Sequence, residues 1–153
     1  MNIRDWSSDV CSSDLVAGDG QERQKLDRMA EGHENIEIRG FVEDIESLAA
    51  NATAVVYAPR QEDFGLVGAE ALSAGKPLLG VDEGFTKDQV EEDVTGLTFD
   101  PTVESLRRTV DAFDPSDFDS DTIQRIAEQY RYETFEADLE AVVFESDRRF
   151  EDD

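Results

Sequence analysis

The 153-residue sequence predicts an α/β domain: a parallel sheet flanked by helices, ending in C-terminal helices. Three observations carry that reading. From Val16 to Phe99, short aliphatic runs alternate with segments of helical period. One of the runs, "TAVVYA", is apolar in the manner of parallel strands covered on both faces. Beyond Pro101 the pattern is helical only, with apolar positions on one face and charges on the other.

The elements follow in order. Leu15 to Ala17 is the stub of a first strand, turning at Gly18-Asp19-Gly20 into a helix over Glu22 to Ala30. Ile36 to Arg39 is a second strand that ends at Gly40-Phe41-Val42, and a helix from Asp44 to Ala50 follows. Thr53 to Ala58 is a third strand, expected to be buried on both faces, and leads through the loop Pro59 to Phe64 into an apolar helix, Leu66 to Ala74. Pro77 to Val81 is a fourth strand with the loop Glu83-Gly84-Phe85 after it, then a short helix Lys87 to Glu91 and a last strand Leu97 to Phe99. Helices are expected over Val103 to Phe113, Asp119 to Tyr130 and Tyr132 to Arg149, with the acidic run Asp114 to Asp121 as a solvated connector.

The amino terminus reads differently. "DWSSDVCSSDL", Asp5 to Leu15, is one translated frame of a common sequencing-library adapter, so residues 1–15 are expected to be artefactual and 16–153 a domain truncated upstream. The only Cys (Cys11) and the only Trp (Trp6) fall in that segment, which leaves no disulfide, zinc cluster or thiol nucleophile to argue.

The formal charge is −24, and eleven of the 14 basic residues are Arg. Such a surface repels nucleic acid and anionic membranes at long range. The acids are spread along amphipathic segments and not gathered in a tail, which is the pattern of a cytoplasmic protein of a salt-accumulating halophile, where molar salt confines the self-repulsion to about 3 Å. No apolar run approaches the ~20 residues that span a bilayer. His33, the sole histidine, lies in a polar turn and is expected to decorate the surface.

In open parallel sheets, ligands bind beyond the carboxyl ends of the strands. Four loops are expected on that edge: Gly18 to Gly20, Gly40 to Val42, Pro59 to Gly65 and Asp82 to Phe85. Each carries glycine where a backbone must come close to something, and the third, Pro59 to Gly65, opens a helix whose first amides, around Phe64 to Leu66, favour an anion. The segment "QEDFGLVGAEALSAGKP" holds one carboxylate, Glu70, between Gly65 and Gly75 in a chain with 38 acids. Desolvating it unpaired is costly, so it needs a ligand's hydroxyls, a set of donors, or a cation such as Lys76 or Arg60. Glu62 stands eight residues earlier; the same spacing recurs at Glu83/Glu91 and Glu128/Glu136, but only Glu62/Glu70 joins a strand-end loop to an otherwise uncharged helix.

"APRQEDFGLVGAEALSAGKPLLG", preceded by "AGDG" and "IEIRGFVED" and followed by "TGLTF", resembles the nucleotide-sugar-binding half of a family-4 retaining glycosyltransferase of the GT-B fold. The resemblance runs from Val16 to the C-terminal helices and implies a Rossmann-like sheet, the C-terminal half of that fold. It implies sugar transfer from a nucleotide-diphosphate sugar to an acceptor hydroxyl with retention. It also implies that Glu70 holds the ribose hydroxyls, that Glu62 lies near the donor sugar in the catalytic position, and that the amides of Phe64, Gly65 and Leu66 cap sugar or phosphate oxygens. Gly40, Phe41 and Val42 would border the base, with Gly18 and Gly84 lining the donor. Asp63 departs from the glycine common at its position, and the basic pair used on the diphosphate is expected upstream of Val16.

By the same resemblance the donor is the substrate, no cofactor or metal is needed, and the acceptor, a glycan, lipid or small molecule, is bound by an amino-terminal domain that the chain lacks. Any peripheral membrane association would run through that domain too. Two alternatives remain. A phosphorylase or nucleotide-sugar epimerase of the same fold would need a Schiff-base lysine or a histidine or acidic pair at the cleft, contexts that Lys25, Lys76, Lys87 and His33 do not provide. A nucleotide-binding or structural module without transferase activity is the other.

Overall fold

The computed structural model describes residues 14–60 and 62–150. The segment expected to be artefactual lies outside the described residues up to position 13. Asp14 and Leu15 are described, and they belong to β1, paired with Ile36 and Glu37.

The chain divides into two compact units, Met1–Ile45 and Glu46–Asp153. In the first, β1 (Asp14–Ala17) and β2 (Ile36–Gly40) form a parallel pair with an irregularity between Val16 and Ala17, and α1 (Arg23–Ala30) packs on β2. The α1 helix is tied on its surface by Lys25–Glu22 and Arg23–Asp27 ion pairs, spaced one helical turn apart.

The second unit begins with most of α2 (Ile45–Ala50) and holds a three-stranded parallel sheet of order β3 (Val55–Tyr57), β4 (Leu78–Val81), β5 (Gly96–Phe99). The helices are α3 (Leu66–Ser73), α4 (Thr86–Gln89), α5 (Val103–Ala112), α6 (Ser120–Ala127) and α7 (Tyr132–Phe150). Strand β4 is central and buried at all four positions, and its alternation puts Leu78 and Leu79 into separate cores. Leu78 joins Ala71, Leu72, Ile123 and Ala127 from α3 and α6; Leu79 joins Val81, Phe99 and Phe113. Fully burying a leucine such as Leu72 or Leu78 contributes about 1.5–3 kcal/mol. Helix α3 stops in a Schellman pattern, with Gly75 N–H donating to Leu72 and Lys76 N–H to Ala71, and Pro77 then opens β4.

The expected parallel pairing is present within each unit, β1 with β2 in the first and β3-β4-β5 in the second. Two expectations are corrected. The third run is not a strand buried on both faces: β3 is three residues long, pairs only with β4 among the described residues, and leaves Val56 50% exposed. An apolar β-branched run looks the same at an edge as at the centre, and only pairing separates the two. The helix expected over Asp119 to Tyr130 breaks after Ala127 into a 3₁₀ turn over Glu128–Tyr130. The acidic connector serves as caps: Asp114 accepts from Ser116, and Asp119 accepts from the amide and hydroxyl of Thr122, which hold its carboxyl below the usual range.

Candidate functional site

All described strand pairs are parallel, so the loops at their carboxyl ends collect on one edge within each unit. In the first unit the Gly18 N–H donates to the Gly40 carbonyl at 2.7 Å, bringing two of the predicted loops together. The Arg23 Nη2 donates to the Ile38 carbonyl just before that turn, and Phe41 is 77% exposed beyond it.

In the second unit the other two loops meet at Glu62. The Phe85 N–H donates to the Glu62 carbonyl at 3.3 Å. Gly84 lies at φ 57, and a Cβ there would stand 2.6 Å from that same carbonyl, so this approach requires glycine. The Glu62 side chain is fixed from β3: the Tyr57 hydroxyl donates to Oε2 at 3.1 Å. Burial raises the Tyr57 phenol above its ordinary value, and the hydrogen bond to Glu62 and the charges of Glu62 and Glu70 raise it further. Tyr57 therefore lies within the field of both predicted glutamates.

Glu70 sits on α3 between buried Ala69 and Ala71, itself half-buried. Its side chain has no hydrogen bond or ion pair among the described residues, so neither Lys76 nor Arg60 is its partner. Gly65 caps α3 at φ 74 and ψ 71; a Cβ there would be 3.1 Å from the Tyr57 ring and 3.3 Å from the Glu62 side chain. The Gly65 and Leu66 amides have no acceptor among the described residues, as the first donors of a helix do unless something caps them. Phe64 stacks on Phe85 at 5.3 Å and meets Tyr130 edge-on at 6.1 Å, which closes one wall of the loop pair.

Sequence reasoning misses two residues of this arrangement. In the sequence Tyr57 is one more member of an apolar strand, but its hydroxyl is what reaches Glu62. Gln89 falls in a charged helix, yet it is 2% exposed, and its Nε2 donates to the Phe64 carbonyl at 3.0 Å and the Gly65 carbonyl at 3.1 Å. The one signal is a neutral amide in the charged stretch "KDQVEED". A cleft of about 700 Å³ opens beside these loops, lined by Pro59, Arg60, Val81, Glu83, Phe99 and Leu106 among others; neither Glu62 nor Glu70 lines it. Among the described residues no group of three or more His, Cys, Asp or Glu is placed to hold a metal ion, and no helix is long and apolar enough to cross a membrane.

The chain is similar to known glycosyltransferases. The α-1,3/1,6-mannosyltransferase ALG2 of Dictyostelium discoideum is 26% identical over 101 residues, 63% of this chain and 24% of that protein. The α-D-kanosaminyltransferase of Streptomyces kanamyceticus is 30% identical over 92 residues, 57% of this chain and 24% of that protein. The chain thus spans about a quarter of the length of these curated relatives. Among solved structures, Anabaena HepE in complex with UDP superposes with a TM-score of 0.69 at 21% identity, covering 88% of this chain and 41% of that one. Sucrose-phosphate synthase from Thermosynechococcus elongatus gives 0.72 at 19%, covering 86% and 38%. These neighbours share the α/β fold of GT-B enzymes, parallel sheets flanked by helices. The description "Glycosyl transferases group 1" fits residues 14–128, from β1 through α6, and the chain belongs to that family.

Proposed function

We propose that this chain is the donor-binding, C-terminal half of a retaining glycosyltransferase that uses a nucleotide-diphosphate sugar. The observation that carries the reading is Glu70: a half-buried carboxylate, unpartnered among the described residues, about one helical turn beyond the open Leu66 amide. A carboxylate accepts both hydroxyls of a ribose diol at once, and helix-end amides favour the oxygens of a sugar phosphate. Glu62, held by Tyr57 in the loop before α3, faces the donor sugar. The Anabaena neighbour, solved with UDP and with UDP-glucose, and the mannosyl- and kanosaminyltransferase relatives support this donor class.

In the reaction the anomeric C–O bond to the diphosphate breaks while a C–O bond to the acceptor oxygen forms on the same face. The acceptor proton passes to the leaving diphosphate, whose charge is met by oriented amides without a metal. The acceptor, a glycan, lipid or small molecule, is bound by an amino-terminal domain, and the enzyme works in the cytoplasm.

Calorimetric titration of the chain with UDP, GDP and ADP in molar KCl tests the proposal. Weak binding of one nucleotide and no sugar transfer by the chain alone are expected. Binding of none of the three overturns the donor reading, and turnover by the isolated chain overturns the division of labour between two domains.

A further inference from the structure

Gln89 occupies a place that folding alone does not explain. It is 2% exposed and its Oε1 has no hydrogen-bond partner among the described residues, so the chain bears the desolvation of a buried acceptor without return. A methionine or leucine would fill the same space at no such cost. What the amide does do is donate, through Nε2, to two consecutive carbonyls, Phe64 and Gly65. The Gly65 carbonyl already accepts from the Gly68 N–H within α3, so Gln89 is not needed to satisfy it. The other side of the amide lies where a side chain on Gly68 would have to stand, and its Oε1 lies 3.4 Å from where a Cβ on Gly65 would be. The amide is therefore wedged under the first turn of α3.

A trans peptide puts its N–H opposite its C=O. Holding the Phe64 carbonyl turns the Gly65 N–H away from Gln89, and holding the Gly65 carbonyl does the same for the Leu66 N–H. These are the two amides that have no acceptor among the described residues.

We propose that Gln89 is a positioning residue: its amide clamps the Phe64 and Gly65 carbonyls so that the Gly65 and Leu66 N–H groups are presented to the sugar or phosphate oxygens of the donor. The inference rests on the donor-site reading above and adds to it a residue of α4 that is buried behind the loop backbone. Gln89 acts through the backbone of another element, and glycine at 68 is the space its amide occupies.

The test is a titration of the ¹⁵N-labelled chain with UDP-glucose in molar KCl, followed by amide resonances. In the wild type, the Gly65 and Leu66 signals and the Gln89 side-chain NH₂ signals are expected to move along one saturation curve. A residue that only fills the core would leave the side-chain NH₂ signals still, and that result overturns the proposal without any substitution. In Gln89→Met, the apparent affinity is expected to fall at least tenfold and the Gly65 and Leu66 shifts to disappear, while the melting temperature stays close to that of the wild type. Gln89→Met binding within twofold of the wild type, with both shifts intact, also overturns it. If the wild type binds none of UDP-glucose, GDP-mannose and ADP-glucose, the donor reading itself fails and the inference with it; binding by the wild type with equal binding by the variant sinks the inference alone.

Discussion

The Tyr57 hydroxyl donates to the Glu62 carboxylate across 3.1 Å, joining the end of β3 to the loop that precedes α3. Because burial and the two glutamates raise the phenol above its ordinary value of 10.0, the neutral form is favoured in the folded chain. The stability from this group is fully present below the unfolded value and is lost as pH rises through the raised folded one. Urea melts across pH 8 to 12 should therefore show the wild type losing stability more steeply than Tyr57→Phe above pH about 10. At pH 7 the substitution is expected to cost about 0.5–1.5 kcal/mol, since the bond is only part-buried. Equal alkaline slopes for the two proteins would show that Tyr57 does not carry this coupling.

Gly84 holds the same residue from its backbone side. With φ at 57 and the Glu62 carbonyl 2.6 Å from where a Cβ would stand, an alanine meets both an unfavourable backbone region and a backbone atom that cannot swing aside. Gly84→Ala is expected to destabilise the second unit by about 1–3 kcal/mol. The urea midpoint should drop with the slope unchanged, as for a folded-state effect. A midpoint equal to that of the wild type would mean the Glu83-to-Phe85 loop moves freely away from Glu62.

Much of this arrangement is legible in the chain. Helical period places α3, α5 and α6 to within a few residues, and the glycines after the strands mark the loops that meet at Glu62. Glu70 stands out because a lone charge in an apolar helix needs a reason. What period and composition do not show are side-chain contacts between distant elements. Tyr57 and Val56 sit side by side in one apolar run, yet one reaches Glu62 and the other is half exposed at a sheet edge. Gln89 looks like one polar residue among charges, and its role exists only because α4 packs under α3. Strand pairing likewise lies outside local pattern, which is why the short length of β3 and the exposure of Val56 are not readable from the run itself.

The acidic surface makes its own prediction. The described ion pairs, Arg23–Asp27, Lys25–Glu22, Arg39–Glu37 and Arg131–Glu128, leave their side chains substantially exposed and contribute little each. Each joins one cation to one acid already counted in the −24 net charge, so the pairs leave that excess of negative charge in place. Repulsion reaches about 30 Å at 0.01 M salt and about 3 Å at 1 M. The melting temperature should rise steadily from millimolar to molar KCl. A protein more stable in dilute buffer would place the surface pairs above the net repulsion and reject adaptation to salt.

The two glutamates should separate under the same substitution. Glu70 has no cation among the described residues, so Glu70→Gln strands no buried charge and should fold as well as the wild type. If the carboxylate holds the ribose diol, its amide keeps the shape but loses the charge-assisted part of the bonding, weakening nucleotide binding by about 1.5–3 kcal/mol. On the proposed reading Glu62 stands beside the reacting sugar, where positive charge develops at the anomeric carbon, and in the two-domain enzyme that this reading requires Glu62→Gln should lower turnover more than donor affinity. Melts with and without nucleotide read the first effect directly: at a nucleotide concentration of 100 times Kd, the wild type gains about 2.7 kcal/mol and Glu70→Gln should gain far less. A Glu70→Gln protein that is unstable yet keeps the full nucleotide shift would assign Glu70 to the fold and leave the ribose to another residue. A Glu62→Gln enzyme whose loss lies wholly in KM would move Glu62 from the transition state to ground-state binding.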